Sequence, residues 1–117
     1  MNERDRLFLG HVLIAIADIE SFNAGGKSEF LADRKTQSAV IRQLEIIGEA
    51  AKNLTAALKE TDPETPWRQI AGTRNRLIHT YFKVDLDAVW SMIERDLPAL
   101  RRSVDRLLEG PDGAPST

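Results

Sequence analysis

The sequence predicts an all-α protein, an antiparallel bundle of about four main helices, and three observations predict it. Apolar residues recur at helical spacing in successive long stretches. No run of strand length alternates apolar and polar residues. The breaks between stretches carry Gly, Asp, Thr and Pro, the residues that stop and restart helices. With no internal repeat and no shift in composition along 117 residues, residues 1–109 read as one helical domain and residues 110–117 as a disordered tail.

The first helix is marked by Leu9, Val12, Leu13, Ile16 and Ile19, and it stops before Asn23-Ala24-Gly25-Gly26. Ser28 is placed to cap a short turn through Phe30 and Leu31. Val40, Leu44, Ile47, Ala51, Leu54 and Leu58 then mark one face of a long second helix, ended by Thr61-Asp62-Pro63-Glu64-Thr65-Pro66. Within it Gly48, Ala51 and Thr55 form a stripe of small residues. An interior glycine costs about 1 kcal/mol against alanine, which close packing of a neighbouring helix would return.

Thr65 before Pro66 is a helix start: its hydroxyl can accept an orphan amide while proline fills a first-turn position that needs no donor. The third helix carries Trp67, Ile70, Leu77 and Ile78. Asp85 can cap the fourth, whose apolar positions are Leu86, Val89, Trp90, Ile93, Leu97, Leu100, Val104 and Leu107 or Leu108. Pro98 should kink it, because proline deletes a backbone donor and crowds the preceding turn. The tail after Glu109 has no large apolar residue to offset its ordering and is expected to be mobile.

Composition narrows the functional classes. The balance of 42% hydrophobic and 29% charged residues is that of a globular domain. The absence of cysteine removes disulfides, thiol catalysis and thiolate metal sites, and suits a reducing cytosol. The charged start Met1-Asn2-Glu3-Arg4-Asp5-Arg6 is unlike a signal peptide, and no apolar run approaches membrane-spanning length, so a cytoplasmic protein with no membrane partner is expected. A net charge of −2 means that any grip on nucleic acid must come from a local basic cluster. No glycine-rich phosphate loop is present, His11 stands alone, and Glu45 with Glu49 most simply faces solvent, so neither a metal nor a cofactor is expected.

The basic cluster is Arg74-Asn75-Arg76-Leu77-Ile78-His79-Thr80-Tyr81. At about 100° per residue Asn75 and His79 stack on one helical face, and Arg74 starts about 140° from His79 and must reach it with its long side chain. A histidine exchanges protons near neutral pH, and an arginine holds extra charge on phosphate without titrating. That pair suffices for metal-free RNA cleavage, with His79 as acid or base, Arg74 on the phosphate, and Asn75 orienting the imidazole or the RNA. One copy makes an incomplete pocket, whereas a two-fold dimer apposing two such helices would complete it. The same spacing also serves a plain structural role, because a helix C-terminus favours His and Arg through its dipole, and Tyr81 and Phe82 suit the edge of a core.

The spacing of Arg74, His79 and Tyr81 resembles the signature of the HepT-like family of HEPN domains: Arg, four residues, His, one residue, Tyr. The stretches from Gln43 to Ala51, Pro66 to Gly72 and Val84 to Trp90, and Asp96-Leu97-Pro98, are similar to that family too, so the resemblance runs to about Leu108. It implies a HEPN-like bundle and the toxin of a toxin–antitoxin module: a homodimeric ribonuclease with catalytic Arg74 and His79, supported at the RNA by Asn75 and Arg76. It implies as partner a MntA-like nucleotidyltransferase antitoxin, which silences the toxin by AMPylation of Tyr81, in a complex that can be larger than a dimer. An attached nucleotide would set anionic phosphate beside Arg74, Arg76 and His79. The near-neutral charge leaves a second expectation open, a non-catalytic helical module that binds and assists a minimal nucleotidyltransferase.

Overall fold

The computed structural model describes residues 1–73, 75 and 85–110. Among these residues the architecture is all-helical, as expected. Helix α1 spans Glu3–Phe22, capped by Asn2, whose side chain accepts the Asp5 amide at 2.7 Å. It stops where expected, with the Asn23 side chain donating back to the Ile19 carbonyl at 3.0 Å. Leu9, Val12, Ile16 and Ile19 are fully buried, and Leu13 packs against the core from its edge.

Helix α2, Gly26–Ala32, is started by backbone geometry and not by Ser28, which lies exposed inside it. Gly26 takes φ of 85°, a left-handed value open to glycine, and this turns the chain off the end of α1. Phe30 is fully buried against Trp90, with ring centroids 5.4 Å apart. Asp33 then caps α3, Arg34–Lys52, accepting from the Lys35 amide at 3.0 Å and the Thr36 hydroxyl at 2.8 Å.

The long second helix expected to continue through Leu58 ends at Lys52. Asn53 closes it, its side chain donating to the Glu49 carbonyl at 2.8 Å, and Thr55 starts a separate helix α4, Ala56–Glu60. The cause is tertiary. The buried carboxylate of Asp5, at the start of α1, accepts from the Thr55 amide at 2.9 Å and from its hydroxyl at 2.6 Å. The Thr55 oxygen in turn caps the Leu58 amide. Leu54 and Leu58 are still buried, because the break returns both to the core. This contact also fixes α1 and α3 as antiparallel neighbours.

Helix α5 is Trp67–Ala71, and Thr65 does not cap it. Thr65 is buried instead, with its hydroxyl on the Asp62 carboxylate at 2.5 Å and 2.9 Å from that of Ser103. Thr73 and Asn75 are helical, while Leu77 and Ile78 fall outside the described residues, as does the tail beyond Gly110. Asp85 caps α6, Leu86–Ser91, through the Ala88 amide at 3.1 Å, as expected. A π-helical turn, Met92–Asp96, links it to α7, Leu97–Leu108, and this is how the chain accommodates Pro98. Pro98 thereby falls in the first turn of α7, where an amide needs no partner within the helix. Helix α7 runs antiparallel to α1, with Arg101 paired to Glu20 at 2.6 Å, and buries Leu97, Leu100 and Val104.

Candidate active site beside α3 and α5

The segment that leads into the motif is held by the contact of α5 with α3. Gly48 and Ala51 are buried on α3, and a Cβ added to Gly48 would lie 3.1 Å from the Ile70 carbonyl oxygen and 3.6 Å from Thr73 Cβ. The stripe of small residues is therefore used within the chain at Gly48, while Ala51 is buried and Thr55 falls outside the helix. Gly72 ends α5, its amide donating to the Arg68 carbonyl at 3.1 Å, and Thr73 is 4% exposed, so the chain is fixed up to Thr73.

Of the residues singled out in the sequence, Asn75 is helical and exposed, open to a ligand. Arg74, Arg76, His79 and Tyr81 lie outside the described residues. His11 is exposed and meets Phe8 edge-on at 5.6 Å, Glu49 is exposed, and Glu45 is only partly so, lying 3.8 Å from Arg42. Among the described residues no group of His, Asp and Glu is arranged to hold a metal ion, and no single helix is long and apolar enough to cross a membrane.

A cavity of about 380 Å³ opens between α3, α5 and α7 and reaches Thr73, the residue before Arg74. Arg102, Arg106, Glu64 and Asp96 give it a mixed charge over an apolar base of Leu44 and Ile70. Arg106 donates to Ser103 at 3.2 Å. Since each hydroxyl has one proton, the chain runs Arg106 to Ser103 to Thr65 to Asp62. It ties the turn before α5 to α7 through charged ends and a buried middle. Sequence reasoning missed this network. Its one legible cue is Ser103 and Arg106, three apart and so on one side of a helix.

Among titratable groups Asp33 is shifted: the Thr36 hydroxyl, and then the Lys35 amide, hold its carboxyl below the ordinary aspartate value. It is a capping effect remote in sequence from the motif.

The family model described as ribonuclease HepT-like matches residues 12–107. A protein of Thermococcus cleftensis named "Probable ribonuclease HepT" is 44% identical over 108 residues, covering 92% of this chain and 98% of the relative. "Putative RNase MJ0127" of Methanocaldococcus jannaschii is 38% identical over 109 residues, 92% of this chain and 90% of its own. "Putative RNase TTE0752" of Caldanaerobacter subterraneus is 37% identical over 105 residues, 89% of this chain and 94% of its own. No solved structure matches the chain significantly. By the match across the α1, α3, α5 and α7 framework, this chain belongs to the ribonuclease HepT-like family.

Proposed function

We propose that this chain is the toxin of a two-gene toxin–antitoxin module, a metal-independent endoribonuclease using Arg74 and His79. Ribonuclease is the activity its family is described by, and the observation that carries the finer reading is the motif itself, Arg74, His79 and Tyr81 at the family spacing. Helix α5, held to α3 at Gly48, leads directly into it, and exposed Asn75 is available to RNA.

In this reading the ribose 2′-hydroxyl attacks the adjacent phosphorus as a base removes its proton. The bond to the 5′-oxygen breaks, that oxygen takes a proton from an acid, and a cyclic phosphate and a free 5′-hydroxyl remain. His79 supplies the base or the acid, and a second copy in a homodimer supplies the other. Arg74 holds the phosphate as charge develops, while Asn75 and Arg76 orient the RNA. DNA has no 2′-hydroxyl and is spared.

A MntA-like nucleotidyltransferase is the proposed antitoxin. The Tyr81 oxygen gives up its proton to a base of the antitoxin or to water and attacks the α-phosphorus of ATP, pyrophosphate leaves, and the attached AMP sets negative charge among Arg74, Arg76 and His79. Cleavage of RNA by the purified chain in the presence of a chelator, lost in both Arg74→Ala and His79→Ala, is the expected result. Mass spectrometry should show AMP added only with the antitoxin, and none in Tyr81→Phe. Intact RNA at high protein concentration, with the antitoxin still bound, would overturn the nuclease reading in favour of a non-catalytic module, which the net charge of −2 also suits.

A further inference from the structure

We propose that the solvent face of α1 is a self-complementary docking surface that pairs antiparallel with α1 of a second copy of this chain, across a two-fold axis near residue 12. The observation that opens the question is exposure. Leu7 and Ile14 are 56% and 63% exposed, on the side of α1 opposite the buried Leu9, Val12, Ile16 and Ile19. Along that face Glu3, Leu7, Gly10, Ile14, Ala17 and Ser21 follow the four-three alternation of a coiled-coil seam, over a helix about 30 Å long. The core-facing residues of α1 form a second, separate stripe. One helix therefore carries two apolar faces and the fold uses one.

The occupant is identified by complementarity in size and charge. In antiparallel pairing centred near residue 12, Leu7 of one copy meets Ala17 of the other, and Ile14 meets Gly10. A large side chain is set against a small one in both layers, and Gly10 has open space, with nothing within 4 Å of where a Cβ would stand. The flanks agree. Arg4 and Arg6 at one end of α1 come beside Asp18 and Glu20 at the other end of its partner. Arg6 and Asp18 make no ion pair among the described residues, while Glu20 shares its carboxylate with Arg101. A parallel pair would stack Leu7 on Leu7 and Gly10 on Gly10, and would set arginine beside arginine. The alternation of small and large, with opposite charges at opposite ends, suits a two-fold axis, where each patch must fit itself.

The pairing uses α1 alone and none of the motif residues, on a face of α1 opposite the buried Leu9, Val12, Ile16 and Ile19. It requires no nuclease activity. A single helix pair is at the small end of interfaces, under about 1,200 Å², so association is expected to depend on concentration.

The chain has no cysteine, which makes the register directly testable. Gly10→Cys and Ile14→Cys proteins, carrying different tags, are treated with a short bis-maleimide alone and mixed, and the mass of Ile14→Asp is compared with the parent by sedimentation. The expected result is a cross-link between the two variants well in excess of either with itself, and a lower mass for Ile14→Asp than for the parent at the same concentration. Ile14 is exposed, so that variant should fold, and an unchanged helical circular dichroism spectrum checks it. Absent cross-linking with unchanged mass would overturn the proposal, as would equal cross-linking of all combinations or a face covered only when the antitoxin is added.

Discussion

Replacing Gly48 by valine tests whether close contact of α3 with α5 positions the motif. A Cβ at this site sits 3.1 Å from the Ile70 carbonyl oxygen, tighter than ordinary contact, and 3.6 Å from Thr73 Cβ, and neither a backbone carbonyl nor buried Thr73 can swing aside. Valine gains about 0.4 kcal/mol over glycine in helix propensity. Its methyls then overpack the contact, at about 1–3 kcal/mol. The net loss is about 1–2.5 kcal/mol, read as a fall in thermal midpoint of roughly 4–10 °C by circular dichroism. Alanine gains about 1 kcal/mol of propensity against one tight contact and should stay within about 1 kcal/mol of the parent. Because Thr73 precedes Arg74, a shift of α5 by about 1 Å should lower RNA cleavage on the order of a hundredfold, even at temperatures where the valine protein is folded. A Gly48→Val protein with parental stability and parental cleavage would refute the reasoning.

Other perturbations probe the remaining tertiary links. Asp5→Ala removes two bonds to Thr55 and strands its amide, so urea denaturation should show a loss of about 2–4 kcal/mol, with Asp5→Asn losing roughly half as much because its amide oxygen can still accept. Ser103→Ala interrupts the hydroxyl chain between Arg106 and Thr65 and should cost about 1–2 kcal/mol by the same measurement. Asp33 has a depressed carboxyl, so its contribution is present above the unfolded value of about 3.9 and is lost as pH falls through the lower folded value. The stability gap between the parent and Asp33→Ala should thus be constant near neutrality and close below about pH 4. A gap that persisted at the lowest pH would show that Asp33 acts without its charge.

Much of the fold was legible because it rests on local chemistry. The core face of α1, the stop before Asn23, the cap at Asp85 and the apolar positions through Val104 all follow from periodicity and side chains that satisfy their own helix ends. The expected use of Gly48 was also readable, since an interior glycine on a good helix has to return its cost in packing. The motif spacing was likewise readable as pattern alone, and among its residues the structure describes Asn75, helical and exposed.

What the sequence determined by itself was therefore the helical class, the core-facing stripes and the family motif, each written within a few residues of chain. Only tertiary structure decided the remainder. Thr55 starts a new helix because Asp5, at the far end of the antiparallel partner, takes its amide and hydroxyl. Thr65 abandons a cap for Asp62 and Ser103, and the chain passes through a π-turn just before Pro98. The exposed second stripe of α1 emerged only once the first was seen to satisfy the core. The physical reason is common to all of them: a polar group or apolar face with more than one possible partner takes the one that folding brings within reach, and that partner can lie 50 residues away.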